Sequence, residues 1–135
     1  MTRLIAAYAA TLIVMVAVDL LWLGVVAKPL YQQGIGHLMA ERPNIPAAAV
    51  FYAVFALGLM IFVVVPSAGA DAWGRTLLAG AMLGFFAYAT YDLTNLATLK
   101  NWPIGLSVLD IAWGSVLSAL SAAAGRAVLI RFAAG

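Results

Sequence analysis

Residues 4–27 read LIAAYAATLIVMVAVDLLWLGVVA, and this stretch decides the architecture. A helix that crosses a bilayer needs about 20 mainly apolar residues. The run exceeds that with a single charge, Asp19. Arg3 ahead of it and Val25-Val26-Ala27 at its end loosely resemble the flanks of a secretory signal. The run is longer than a signal's apolar region of about 7–15 residues, so a retained transmembrane helix is expected. Lys28-Pro29 closes it, because proline disfavours helical geometry in the residue before it.

Three further segments follow the same pattern. Residues 45–65 begin at Pro43 and Pro46, where a missing N–H costs nothing, and end at Pro66-Ser67-Ala68-Gly69. The third segment runs from about 75 to 99. The fourth runs from Pro103 to about Gly125, with 126–131 open as a continuation. Backbone in lipid must satisfy its own hydrogen bonds, which favours helices. No strand-like alternation supports a barrel. The expectation is one all-α transmembrane domain over residues 1–135, a four-helix bundle with antiparallel neighbours. The links at 66–74 and at Lys100-Asn101-Trp102 are short, as antiparallel packing requires. The longer link, 28–44, reads KPLYQQGIGHLMAERPN and is expected to hold a short interfacial helix.

Composition agrees. The 135 residues are 66% hydrophobic and 9% charged, with a mean hydropathy of +1.06. Soluble chains are about 45–50% apolar and about 25% charged. A chain this small keeps much of its surface exposed, so lipid must be part of its solvent. The net charge of +2 comes from scattered Lys and Arg, which excludes a nucleic-acid footprint. The absence of Cys excludes disulfides, thiol catalysis and zinc-thiolate sites. No P-loop, dinucleotide fingerprint, HExxH or nucleophile elbow occurs.

Four crossings place Arg3, Arg75, Arg126 and Arg131 on one side, and Lys28, Arg42 and Lys100 on the other. The margin of one charge favours both termini inside. Small residues form stripes at four-residue spacing: Gly80 and Gly84, then Gly114, Ser118 and Ala122, with Ser107, Ser121 and Gly125 nearby. Such stripes let helices approach closely in lipid. They are expected to pack the bundle, and could also dock a second copy or another membrane protein.

The chemistry-bearing residues are Asp19, Asp92 and Asp110, since carboxylates at membrane depth are costly and usually face an interior or a water cavity. Asp19 lies eight residues before Ala27, Asp92 seven before Leu99, and Asp110 seven after Pro103. Helices one and three run in one direction and helix four returns. All three carboxyls should therefore lie about 10–12 Å from the same membrane face, at 1.5 Å per residue. Each has a residue one turn on that shares its helix face: Asp19 with Trp22, Asp110 with Trp113, and Asp92 with Asn95. Tyr88 and Tyr91 extend the polar face of the third helix. The second helix has no acidic or basic residue between Ala47 and Val65 and reads as apolar scaffold.

Three ionised carboxylates cannot sit together in low dielectric. Shared protons, hydrogen bonds from Trp, Tyr, Asn or Thr, a Lys or Arg partner, or a bound cation would relieve them. Lys28 and Lys100 lie about 12–14 Å along the helix from their aspartates, too far for direct pairing. They form a rim, over which His37 could hang. Trp73 and Trp102 sit at helix ends, where belt anchoring at the membrane surface explains them. Ser118 and Ser121 would offer a thin polar path toward the other face.

The runs VDLLWLG at 18–24, YDLTNLATLKNWP at 91–103 and LDIAWG at 109–114 resemble a bacterial family of predicted membrane proteins, domain of unknown function 2177. The resemblance covers nearly the whole chain. It implies a multi-pass protein of four helices in the bacterial inner membrane, with Asp19, Asp92, Asn95, Lys100, Trp102, Pro103 and Asp110 as motif residues. It implies no activity.

The expected function is binding or transport of a proton, cation or polar amine in a one-sided acidic and aromatic pocket. In a second reading the chain is a membrane enzyme acting on lipid, with the carboxylates as acid/base groups or as hard ligands for a divalent ion. In a third it is an accessory subunit. The sequence names no cofactor and assigns no metal set. The lipid bilayer is the one partner it requires.

Overall fold

The structure, a computed structural model, describes residues 1–69 and 73–134. Among them, four helices are long and apolar enough to cross a membrane: Thr2–Val26, Ile45–Val64, Trp73–Thr98 and Ile104–Phe132. Helix α1 spans Thr2–Leu21 and continues as a π-helical turn, Trp22–Val26. The chain then bends at Ala27, where φ is −105° and ψ is 2°. The expected interfacial helix is present as α2, Lys28–Ile35, followed by a 3₁₀ turn at Gly36–Leu38. Helix α3 spans Ile45–Leu59 and also ends in a π turn, Met60–Val64. Asn44 caps it by accepting from the Ala47 N–H at 3.1 Å. Helix α4 spans Trp73–Thr98, and the link expected at 66–74 lies partly outside the described residues. Helix α5 spans Ile104–Ala134, so the last crossing runs through 126–131. Between α4 and α5, Asn101 takes φ 58°, a left-handed conformation that asparagine tolerates better than most residues.

The small-residue stripes do their work inside the bundle. A Cβ on Gly80 would meet the Ala119 backbone at 3.0 Å, and one on Gly84 would collide with the Gly114 carbonyl and the Ser118 hydroxyl. The stripes thus bring α4 and α5 into backbone contact, as the packing expectation required. Gly125 does the same for α1, against Thr11 and Ala7.

The apolar core fills one end of the bundle, with Ala7 and Met15 from α1, Leu59, Met60, Val63 and Val64 from the end of the second crossing, and Leu117, Ala122 and Leu129 from α5. Here α4 packs on the Met60–Val64 turn rather than along the body of α3. Just beyond that turn the Ser67 and Thr76 hydroxyls meet at 2.6 Å, joining the end of the second crossing to the start of the third. Ser118 and Ser121, expected to offer a thin polar path, lie inside the helix contact. Both are sealed at 0% exposure, and Ser121 donates to the Leu117 carbonyl at 2.7 Å. At the same end, the Arg126 guanidinium lies 4.4 Å over the Trp73 ring. Trp73 therefore also serves as an aromatic platform.

Candidate functional site

The other end of the bundle holds a cavity of about 490 Å³. Asp19, Asp92 and Asp110 all line it, together with Tyr88 and Tyr91. Its cover is α2, which contributes Tyr31 and Ile35, with Met39 beyond it. Gly34 permits this seat: a Cβ there would meet the Leu106 side chain at 2.8 Å and the Pro103 ring at 3.2 Å, so a larger residue would have to displace them.

The aspartates are held differently. Asp19 is satisfied on both oxygens: the Trp113 indole N–H donates to Oδ1 at 2.9 Å and the Tyr52 hydroxyl to Oδ2 at 2.5 Å. Asp110 accepts from the Tyr31 hydroxyl at 2.6 Å, and Tyr31 in turn accepts from the Trp22 indole N–H at 3.2 Å. The Trp22 and Trp113 rings stack at 4.3 Å and 9°. The two Asp-x-x-Trp motifs are therefore exchanged between helices. The tryptophan of α5 serves the aspartate of α1, and the tryptophan of α1 reaches the aspartate of α5 through Tyr31. This stack stands behind the cavity wall rather than in it.

Asp92 is the exception. It is 1% exposed, and its Oδ2 has no hydrogen-bond partner. It lies beside Asp110 and beside Trp102, whose indole nitrogen is likewise buried without a partner. Trp102 also meets Tyr91 edge-on at 5.9 Å. Among the described residues the lining includes no Lys, Arg or His. Nor do three His, Cys, Asp or Glu side chains converge on a point that could hold a metal ion. The three carboxylates share a wall rather than one point.

Three sequence expectations need correction. The second helix is not scaffold alone: Ala48, Phe51 and Tyr52 line the cavity, and Tyr52 binds Asp19. Trp102 is 8% exposed and lines the cavity, so belt anchoring does not describe it. Asn95 is partly buried near Tyr91 rather than in the wall, whereas Lys28, His37 and Lys100, expected as a rim, are exposed outside the wall. Tyr31 was missed altogether. Its burial, reinforced by Asp110, raises its hydroxyl far above the ordinary tyrosine range and keeps it a donor.

Residues 4–127 match the family described as predicted membrane protein, DUF2177. The chain belongs to that family. No curated protein and no solved structure matches it. The acidic cavity of this DUF2177 chain must therefore be read from its own chemistry. Its volume falls in the range of small-molecule sites, about 300–1,000 Å³. Its polar groups are three carboxyls, tyrosine hydroxyls and the Trp102 indole N–H, with no basic side chain among them.

Proposed function

We propose that this membrane protein binds a protonated amine in a cavity at one end of the bundle, with Asp92 as the counter-charge. The observation that carries the reading is the enclosed, unpartnered Oδ2 of Asp92 in a cavity without a basic lining residue. A buried carboxylate without a partner is costly. An ammonium group supplies both the missing charge and the missing donor. The faces of Tyr88, Tyr91 and Trp102 add cation–π attraction of about 0.5–2 kcal/mol each where they are desolvated. Binding is favoured over conduction because the opposite end of the bundle is filled by Met15, Leu59, Val63 and Leu117.

Calorimetric titration of the purified protein with butylammonium tests this. Saturable binding near neutral pH is expected, weakened more than tenfold in Asp92→Asn and unaltered in Glu41→Gln, which changes an exposed carboxylate outside the cavity. Equal binding in the native chain and Asp92→Asn would overturn the proposal.

A further inference from the structure

A second hollow runs along the lipid-facing side of α3. It has a volume of about 500 Å³ and is lined by Val50, Phe51, Val54, Gly58 and Phe62, among others of α3, and by Leu83 of α4. It exists because α4 leans on the Met60–Val64 turn and leaves the body of α3 uncovered. The groove has no polar side chain in its wall. Phe51 belongs both to it and to the acidic cavity, so the two hollows share a wall. From Ala47 to Phe62 the groove follows about 22 Å of helix, at 1.5 Å per residue.

We infer that the guest is a single-chain cationic amphiphile, whose ammonium head occupies the acidic cavity and whose alkyl tail lies in the α3 groove. This rests on the amine-binding reading above and names its substrate class. Charge complementarity fixes the head: three carboxylates line one end, and the other end is wholly apolar. A phosphate-bearing head would bring a further anion to this acidic wall, which disfavours ordinary phospholipids relative to a head that carries only an ammonium. Direction agrees as well. The groove starts beside the acidic cavity at Ala47 and follows the second crossing away from it, so an alkyl tail laid in it would run along the acyl chains of the surrounding lipid. The guest reaches the site sideways from lipid, past Phe51, without crossing water.

Gly58 provides the test. A Cβ there meets nothing within 4 Å, so Gly58→Leu fills the groove without disturbing the bundle. Val54→Trp, on the same exposed wall, is a second block should the first fold poorly. Dodecylammonium, butylammonium and uncharged dodecanol are titrated into the native chain and both variants at fixed detergent concentration. Dodecylammonium should bind the native chain at least tenfold more tightly than butylammonium, and more tightly than dodecanol. That chain-length advantage should vanish in Gly58→Leu and Val54→Trp. An advantage that survives in both blocked variants, or equal binding of the two ammoniums to the native chain, overturns the groove assignment while leaving the amine site standing. Dodecanol binding as tightly as dodecylammonium overturns the coupling of groove to cavity. Failure of both ammoniums to bind overturns the amine site itself.

Discussion

The Tyr52 hydroxyl donates to Asp19 Oδ2 at 2.5 Å, and this bond ties the helix without acidic or basic side chains to the one that carries the first buried carboxylate. Interhelical hydrogen bonds in membranes are worth about 0.6–1.7 kcal/mol, and an acceptor left short of a donor adds to the loss. Tyr52→Phe should therefore destabilise the bundle by about 1–2 kcal/mol in reversible unfolding from mixed micelles. Stability equal to that of the native chain would show that Asp19 finds another donor.

Asp92 poses the opposite case, because its Oδ2 lacks a hydrogen-bond partner. Replacing a buried, unpartnered polar group with an apolar one removes a penalty of about 1–3 kcal/mol. Asp92→Leu should raise the unfolding free energy of the empty protein by about that amount and abolish amine binding. A stability gain paired with lost binding marks a residue kept for its site. A destabilised Asp92→Leu would mean that the carboxylate has a structural partner.

The α4–α5 contact tolerates no added atoms. A Cβ on Gly84 would run into the Gly114 carbonyl and Ser118, whereas one on Gly105 would meet nothing within 4 Å. Gly84→Ala should cost about 1–3 kcal/mol by overpacking. Gly105→Ala should be neutral or gain up to about 1 kcal/mol from helix propensity. Equal effects of the two in the same unfolding assay would contradict the backbone contact.

Tyr31 predicts alkaline behaviour. Its folded-state ionisation lies above the ordinary value of 10.0, chiefly through burial and then through Asp110. The unfolded chain therefore loses this proton first. Stability from Tyr31 is fully present below about pH 10 and declines as pH rises above it. Tyrosinate absorbance from Tyr31 should appear only together with unfolding, and Tyr31→Phe should flatten the alkaline loss. A Tyr31 tyrosinate signal in the folded protein would contradict its enclosure.

The crossings and the depth of the three aspartates were legible because both follow from hydropathy and the fixed rise of a helix. What hydropathy does not give is rotation about the helix axis. Residues 45–65 are apolar on every side, so nothing in their order says that Tyr52 faces inward. The exchanged Asp-x-x-Trp pairs hid for a related reason. Spacing shows which residues share a face, but not whether a side chain bonds its own helix or the antiparallel one beside it. Trp102 and Tyr31 depend on the seat of α2 against α5, set by Gly34, and that contact leaves no periodic trace in a polar link.

The Ser67–Thr76 bond also has a mechanical side. It fastens the end of the second crossing to α4, while at the level of the cavity the same crossing is held to α1 by the Tyr52–Asp19 bond. Any widening of the cavity mouth between α3 and α4 would have to stretch that bond. Tyr52 is therefore a stay on the mouth as well as a donor to the carboxylate.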